Sequence, residues 1–279
     1  MQQLPPNPII TLLTDFGHED VFVGLMKGVI LGINRQARIV DLTHNLRPQN
    51  IRQASFLTVK SYSHFPAGTI HLVIVDPGVG GKRRSLLLHQ NEHFFIGPDN
   101  GVFSELLAEQ EGLPVRRNCV SLTDNRYFRS TIAPTFHGRD VFASVAGHLS
   151  RGASMSDFGQ AVDDPVQLPE MKVYIDDETI RGQVVHIDRF GNLITNITSS
   201  LLRQFRGFQE CIFQIGDCLI NQLSRTYIEV QIGQPVAYLG SFNTLEIGVR
   251  NGDAAREMNI DLDTEIRVSL RAIDTEKDM

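Results

Sequence analysis

Ile9-Ile10-Thr11-Leu12-Leu13-Thr14-Asp15-Phe16-Gly17 opens as an apolar, β-rich run and breaks at an acid and a glycine, after which Val21 to Ile33 has the spacing of an apolar helix carrying Lys27. The unit is a strand, a loop and a helix. It recurs: Ala37 to Leu42 is strand-like, Asn50 to Tyr62 places Ile51, Ala54, Phe56, Leu57 and Tyr62 at helical spacing, and Thr69 to Val75 is a buried-type strand. This alternation predicts an N-terminal α/β sandwich with a largely parallel sheet between helices. Ligands of such sheets sit beyond the carboxyl ends of the strands, which directs attention to the loops after Thr14 and Val75.

Working outward, Ser85 to Ile96 reads as two strands about a turn at Asn91-Glu92. Pro98-Asp99-Asn100-Gly101 is a turn into a helical Val102 to Ala108, and Val141 to Leu149 reads as a helix. From Asp163 to Glu170 the chain is polar and carries Pro165 and Pro169. Beyond it come short strand-like runs with little helix: Gly182 to Ile187, Leu193 to Ile197, Cys211 to Ile215, Val236 to Leu239 and Glu265 to Arg271. The expectation is an α/β domain over 1–164 and a smaller all-β barrel domain over 171–279.

The 279 residues, 42% hydrophobic and 21% charged, fit one large domain or two unequal ones and exclude a disordered chain. Lys+Arg 26 against Asp+Glu 32 gives −6, with no basic face long enough to track a phosphate backbone, so no nucleic-acid partner is expected. No apolar run approaches the ~20 residues of a membrane span, and none is expected. Three cysteines without Cys-x-x-Cys spacing suggest reduced thiols, and Met1 to Pro8 lacks the pattern of a secretory signal; together they lead to a cytoplasmic expectation. The histidines suggest no metal centre.

The densest chemical signal is Asp76-Pro77-Gly78-Val79-Gly80-Gly81-Lys82-Arg83-Arg84 at the end of a predicted strand. Three glycines in four positions let the backbone turn sharply, and the loop gathers an acid and two guanidinium groups. It is no Walker A loop, because its Lys runs into Arg-Arg and a strand rather than into Ser/Thr and a helix. A glycine-rich turn whose Asp caps its own backbone would use the same residues, so the loop alone leaves both readings open. Asp15-Phe16-Gly17 has the letters of the kinase magnesium motif without the loops that should precede it. Its acid is placed to accept from ribose hydroxyls or to form an Asx turn. Phe136-His137-Gly138-Arg139-Asp140 opens a helix with an acid near its positive end, and Asp188-Arg189-Phe190-Gly191-Asn192 is a polar turn between apolar strands.

Taken in order, Leu13-Thr14-Asp15-Phe16-Gly17, Met26-Lys27-Gly28, Val40-Asp41-Leu42-Thr43-His44, Val75-Asp76-Pro77-Gly78-Val79-Gly80, Arg83-Arg84, Pro98-Asp99-Asn100-Gly101, Phe136-His137-Gly138-Arg139-Asp140 and Asp188-Arg189-Phe190-Gly191-Asn192 resemble the S-adenosyl-L-methionine hydrolase family (SAM hydroxide adenosyltransferases), relatives of the fluorinase and chlorinase. The resemblance covers most of the chain. It implies an α/β domain followed by a β-barrel, in a homotrimer whose sites lie between one subunit's first domain and a neighbour's second. It also implies that Asp76, Arg83 and His137 surround the attacking water, and that Asp15 binds the ribose. Asp188 then meets the methionine end, Asn192 the adenine, Tyr227 stacks near the base, and Ser241 meets the amino-acid end. Gly240 departs from the family's Asn at the neighbouring position, Ser144 stands where many relatives have Pro, and the chain has no Trp to pack beside the ribose.

The implied reaction is hydrolysis of S-adenosyl-L-methionine to adenosine and L-methionine, with no metal or external cofactor. A sulfonium is already a good leaving group, so the site must mainly hold water in line with C5′ and manage its proton. A halogenase is disfavoured by Asp76, Arg83 and His137, while a sensor that binds the same ligand with negligible turnover would use the same residues.

Overall fold

A computed structural model of the chain describes residues 8–108, 118–205 and 208–270; the N-terminal stretch before Pro8 and Arg271, both covered by the sequence reading, lie outside the described residues. The chain divides into two compact units, Met1–Leu168 and Pro169–Met279.

In the first unit, strands β1 (Ile9–Thr14), β2 (Arg38–Thr43), β3 (Ile70–Ile74), β4 (Ser85–Gln90), β5 (His93–Pro98), β6 (Asn118–Leu122) and β7 (Gly159–Ala161) form one seven-stranded sheet in the order β2-β1-β3-β5-β4-β6-β7. The ladders joining β2, β1, β3 and β5 are parallel; those joining β5, β4, β6 and β7 are antiparallel. The parallel half is the part built from strand, loop and helix units. The antiparallel half begins with the hairpin at Asn91-Glu92, where both residues take positive φ (50° and 63°) as a tight turn between twisted strands requires.

Side-chain alternation makes this sheet the middle of three layers. Ile10, Leu12, Leu72 and Ile74 pack with Met26 and Ile30 of α1 (Phe22–Ile33) and with Val145 and Leu149 of α4 (Ala143–Ser150). Leu13, Val73, Leu86 and Phe95 pack with Ala54 of α2 (Ile51–Ser61) and with Leu106 and Leu107 of α3 (Ser104–Leu107). β3 is buried at every position because both its faces are covered, and each such aliphatic side chain contributes about 1.5–3 kcal/mol of burial. The helix expected at Val141 to Leu149 starts earlier and differently: Gly138–Phe142 winds as a π-helix before α4 begins. Such wide turns are rare and recur at functional sites.

From β1 the chain runs to β2 on one side and then returns to β3 on the other. This reversal of strand order opens a crevice at the carboxyl ends of β1 and β3. Thr14 pairs with Ile74, so the loops that begin at Asp15 and at Val75-Asp76 leave the sheet side by side.

The second unit contains β8 (Tyr174–Ile175), β9 (Thr179–Ile187), β10 (Leu193–Thr198), β11 (Cys211–Ile215), β12 (Cys218–Ile220), β13 (Leu223–Ser224), β14 (Pro235–Leu239), β15 (Thr244–Val249) and β16 (Glu265–Leu270), with short helices α5 (Ser199–Gln204) and α6 (Ala254–Glu257). Its path, β12-β11-β16-β9-β10-β15-β14-β13, begins and ends on strands that only Asn221 and Gln222 separate in the chain. The sheet therefore curls until its two edges approach each other, giving a nearly closed form of the barrel expected from the short strands. Leu193, Phe213, Ala237, Leu245, Ile247 and Val268 fill its core.

Candidate active site

Asp76, Arg83 and His137 come together. Asp76 follows β3 after Val75, Arg83 precedes β4, and the glycine-rich loop folds back so that Arg83 donates from Nε to Asp76 Oδ1 at 2.9 Å and from Nη2 to Asp76 Oδ2. The pair is bidentate, with 11% and 6% of the two side chains exposed, so it sits largely away from solvent screening. Arg83 Nη1 donates to Ser85 Oγ at 2.8 Å, and the guanidinium carbon stands 5.4 Å from the centre of the Phe142 ring on the π-helix.

His137 Nδ1 lies 3.0 Å from Arg83 Nη2. A guanidinium has only hydrogens to offer, so Nδ1 accepts, and the neutral ring carries its proton on Nε2. Burial, together with the positive charge of Arg83, lowers the pKa of His137 below the ordinary histidine value. The ring thus presents an N–H donor, while Asp76 presents a carboxylate whose charge Arg83 balances.

The loop that carries His137 is brought there by a close backbone contact. Gly80 has φ +74°, and a Cβ on it would lie 2.4 Å from the carbonyl oxygen of Pro134. Glycine is required both by the conformation and by the approach. Asp140, fully buried, fixes the other end. Its carboxylate accepts from Arg139 Nε at 2.6 Å, from the Ala133 amide at 2.8 Å and from Arg129 at 3.1 Å. Burial would raise its pKa, but these donors hold it below the usual carboxylate value. The acid expected near the helix's positive end does stand in the first turn, and it also staples the 133–140 loop.

Asp15 stands at the end of β1, beside the Asp76 loop in register. Its Oδ2 accepts from the Gln49 amide at 2.8 Å, so the carboxylate reaches across to the next loop rather than capping its own turn; Thr14 Oγ1 takes the Phe16 amide at 3.2 Å. Thr14 Oγ1 also lies 2.8 Å from His44 Nδ1, His44 Nε2 lies 3.1 Å from Asp41 Oδ1, and Lys27 donates to Asp41 Oδ2 at 2.6 Å. The Lys27 and Asp41–His44 segments thus support the Asp15 loop from behind.

In the second unit, Asp188 Oδ1 accepts the amides of Phe190 and Asn192 at 2.8 and 2.9 Å, and Oδ2 accepts from Asn192 Nδ2 at 2.8 Å. Asn192 faces Gly248 of β15, where a Cβ would come within 2.7 Å of Asn192 Oδ1 and 2.9 Å of the Tyr227 ring. Tyr227 donates its hydroxyl to Tyr238, and Tyr238 donates to Glu246 Oε2 at 2.9 Å. Ser241 stands exposed in the turn between β14 and β15 and is not drawn into this chain of contacts. Glu246 is buried with its Oε1 unpartnered, and burial, aided by the charge of Asp188, raises its pKa against the opposing effect of the Tyr238 hydrogen bond. Burial also raises the pKa of Tyr238.

Sequence reasoning read Val236 to Leu239 as a strand without singling out Tyr238, and missed Glu246 because it did not mark β15. A glutamate between Leu245 and Ile247 was the available signal: a charged residue alternating with apolar ones on a strand. His89 and His93 stand four apart in the sequence but flank the hairpin turn. His93 Nδ1 lies 3.2 Å from His71 Nε2, and His89 packs on Phe94. Among the described residues no group of three or more His, Cys, Asp and Glu gathers in a way that would hold a metal ion.

Comparison with known proteins adds a consistent picture. Residues 10–159 match the model of the SAM hydroxide adenosyltransferase N-terminal domain, and residues 182–267 match that of the C-terminal domain. The chain is 30% identical to an (R)-S-adenosyl-L-methionine hydrolase of Salinispora tropica over 95% of this chain and 99% of the relative. It is 35% identical to a protein of the same name from Thermus thermophilus, over 90% and 95% of the two chains. A crystal structure of an uncharacterized conserved protein from Thermotoga maritima superposes with a TM-score of 0.86 at 31% identity, covering 94% of this chain and all of that one.

Proposed function

The chain belongs to the SAM hydroxide adenosyltransferase family, and on that footing we propose that it hydrolyses S-adenosyl-L-methionine to adenosine and L-methionine. The observation that carries the reading at the level of residues is the bidentate Asp76–Arg83 pair with the neutral, Nε2-protonated His137 on its flank. Water oxygen bonds to C5′, the C5′–S bond breaks, and its electron pair leaves with sulfur as the neutral thioether of methionine. One proton is released. The departing sulfonium needs no general acid, which is why the reading calls for neither metal nor cofactor.

In this scheme His137 Nε2–H donates to the water oxygen and fixes a lone pair toward C5′, while Asp76 accepts from a water hydrogen and takes the proton as the new bond forms. Arg83 holds the Asp76 carboxylate in a fixed orientation and stabilises the developing hydroxide. Holding the reactants in line is worth on the order of 7–11 kcal/mol in well-aligned systems. Asp15 takes the ribose hydroxyls. Asp188, Asn192, Tyr227 and Ser241 take the amino-acid end and the base, with Tyr227 held in place by Tyr238 and Glu246.

The proposal extends to a cytoplasmic homotrimer with sites shared between subunits. Supporting self-association, α1 exposes Phe22, Leu25 and Leu31 next to Gly24, Gly28 and Gly32, around which a Cβ would meet nothing. Among the described residues no helix is long and apolar enough to cross a membrane.

The test is to incubate purified protein with S-adenosyl-L-methionine, with and without chloride, and to identify the nucleoside by chromatography. Adenosine in both cases is expected. A 5′-chloro nucleoside, or binding without turnover, would overturn the reading.

A further inference from the structure

The turn Pro98-Asp99-Asn100-Gly101 touches neither Asp76 nor Arg83 through a side chain, yet it holds both ends of the loop between them. At the start of the loop, Asn100 Nδ2 donates to the carbonyl of Val75 at 2.8 Å, and Asn100 Oδ1 takes the Val102 amide at 3.2 Å. At its end, Asp99 Oδ2 accepts from Arg84 Nε at 2.6 Å, and the Asp99 amide donates to the Arg84 carbonyl at 3.0 Å. The same Arg84 carbonyl lies 3.5 Å from Arg83 Nη1. The Asp99 side chain is 2% exposed and its other oxygen accepts the Val166 amide at 2.7 Å, so both oxygens are committed.

The loop held this way contains Gly78, Gly80 and Gly81, and glycine backbones have the most freedom to lose. Asp76 is its first residue and Arg83 its last but one. Unless its ends are fixed, the bidentate geometry has to be reached from many loop conformations, and a misplacement of ~1 Å at a reacting centre can cost on the order of 10²-fold in rate.

We propose that Asp99 and Asn100 are positioning residues for the hydrolytic step: acting through Arg84 and Val75, they set the separation and orientation of Asp76 and Arg83 without touching substrate. This rests on the hydrolase reading above.

The test uses the full chain. Asp99→Asn keeps the shape and an acceptor but loses the charge that grips Arg84; Asn100→Ala frees Val75. Each should lower kcat on the order of tenfold to a hundredfold while KM for S-adenosyl-L-methionine stays within about twofold, because the groups assigned to substrate binding are untouched. Arg84→Lys, which keeps an ammonium for Asp99, should retain part of the activity that Arg84→Met loses. Side-chain nitrogen NMR of His137 provides a second readout independent of turnover. The Nδ1-acceptor signature of the wild type should be lost or averaged in Asp99→Asn. Wild-type kcat with an unchanged His137 signature in folded Asp99→Asn and Asn100→Ala would overturn the proposal, as would KM rising in step with the loss of kcat. If the wild type released no adenosine, the hydrolase reading would fall, and the NMR comparison would still decide whether Asp99 holds the cluster.

Discussion

The Asp76–Arg83–His137 cluster and the Asn192–Tyr227–Tyr238–Glu246 chain are both polar groups gathered at a sheet, but they handle charge in opposite ways. In the first, an acid meets a guanidinium through two hydrogen bonds, and the neighbouring imidazole is kept neutral by burial and by that guanidinium. In the second, two phenols lead to a buried acid that receives one hydrogen bond and meets no cation among the described residues, and burial raises its pKa. A charge-matched acid in a fixed geometry suits proton handling. A buried acid with a raised pKa suits shape and hydrogen bonding. On the proposed reading, the contrast goes with water chemistry in the first unit, beside ribose binding by Asp15, and with the rest of the recognition in the second.

The largest expected effect tests the first half of that contrast. Asp76→Ala and His137→Ala should each lower adenosine release on the order of 10²–10⁴-fold while retaining S-adenosyl-L-methionine binding by calorimetry. Near-normal turnover in either would remove that residue from the chemistry. The lowered pKa of His137 also gives a sign. The ring is neutral at pH 7, and protonating Nδ1 would turn it into a second donor facing Arg83, so kcat should fall on the acid side with a midpoint below the ordinary histidine value of ~6.5. A midpoint above that value would contradict the assigned tautomer.

A mixing experiment asks whether the two regions act together across subunits. Inactive Asp76→Ala and inactive Asp188→Ala proteins, dissociated and reassembled in equal amounts, should regain at most about a quarter of wild-type activity, since both intact halves then meet at one interface in four. A mixture that stays silent despite verified exchange, or a fully active monomer by light scattering, would remove the shared-site proposal.

Asp15→Ala should weaken both S-adenosyl-L-methionine and adenosine by about 1.5–3 kcal/mol, the worth of hydrogen bonds to a charged group. Unchanged adenosine affinity in a folded variant would detach Asp15 from the ribose.

The smallest effect probes the second region. Because the folded-state pKa of Glu246 is raised, its contribution to stability is present below the unfolded-state value and is lost as pH rises through the folded one. Glu246→Gln removes that loss. The melting temperature of the variant relative to wild type should therefore climb from pH 4 to pH 8, within the span of about 1 kcal/mol typical of a changed hydrogen bond. A difference that falls with pH would mean that the acid is compensated after all.

Much of this was legible from sequence where local pattern suffices. β1 and α1 show their periods, the Asn91-Glu92 turn shows its hairpin, and Asp163 to Glu170 shows the break in composition. β15 was not, because Glu246 and Gly248 interrupt an apolar run for reasons that exist only across the sheet: Tyr238 lies opposite Glu246 on β14, and Asn192, just ahead of β10, lies against Gly248. β12 and β13 are too short to carry a period. Asp76, Arg83 and His137 stood out as residues, but their meeting depends on Gly80 lying against Pro134, a contact between segments 54 positions apart that no local pattern encodes.

The first unit's sheet has a consequence for how the chain is made. Its last strand, β7, ends at Ala161, and the segment after it is already tied back by Arg84 to Asp164, Asp99 to Val166 and Ser104 to Leu168. Everything that stitches the α/β layers together is therefore synthesised before the barrel's strands. The glycine-rich loop and the turn that grips it can settle while the second half is still being translated, so the nascent protein carries an ordered N-terminal body during the interval when its unfinished barrel exposes unpaired strand edges.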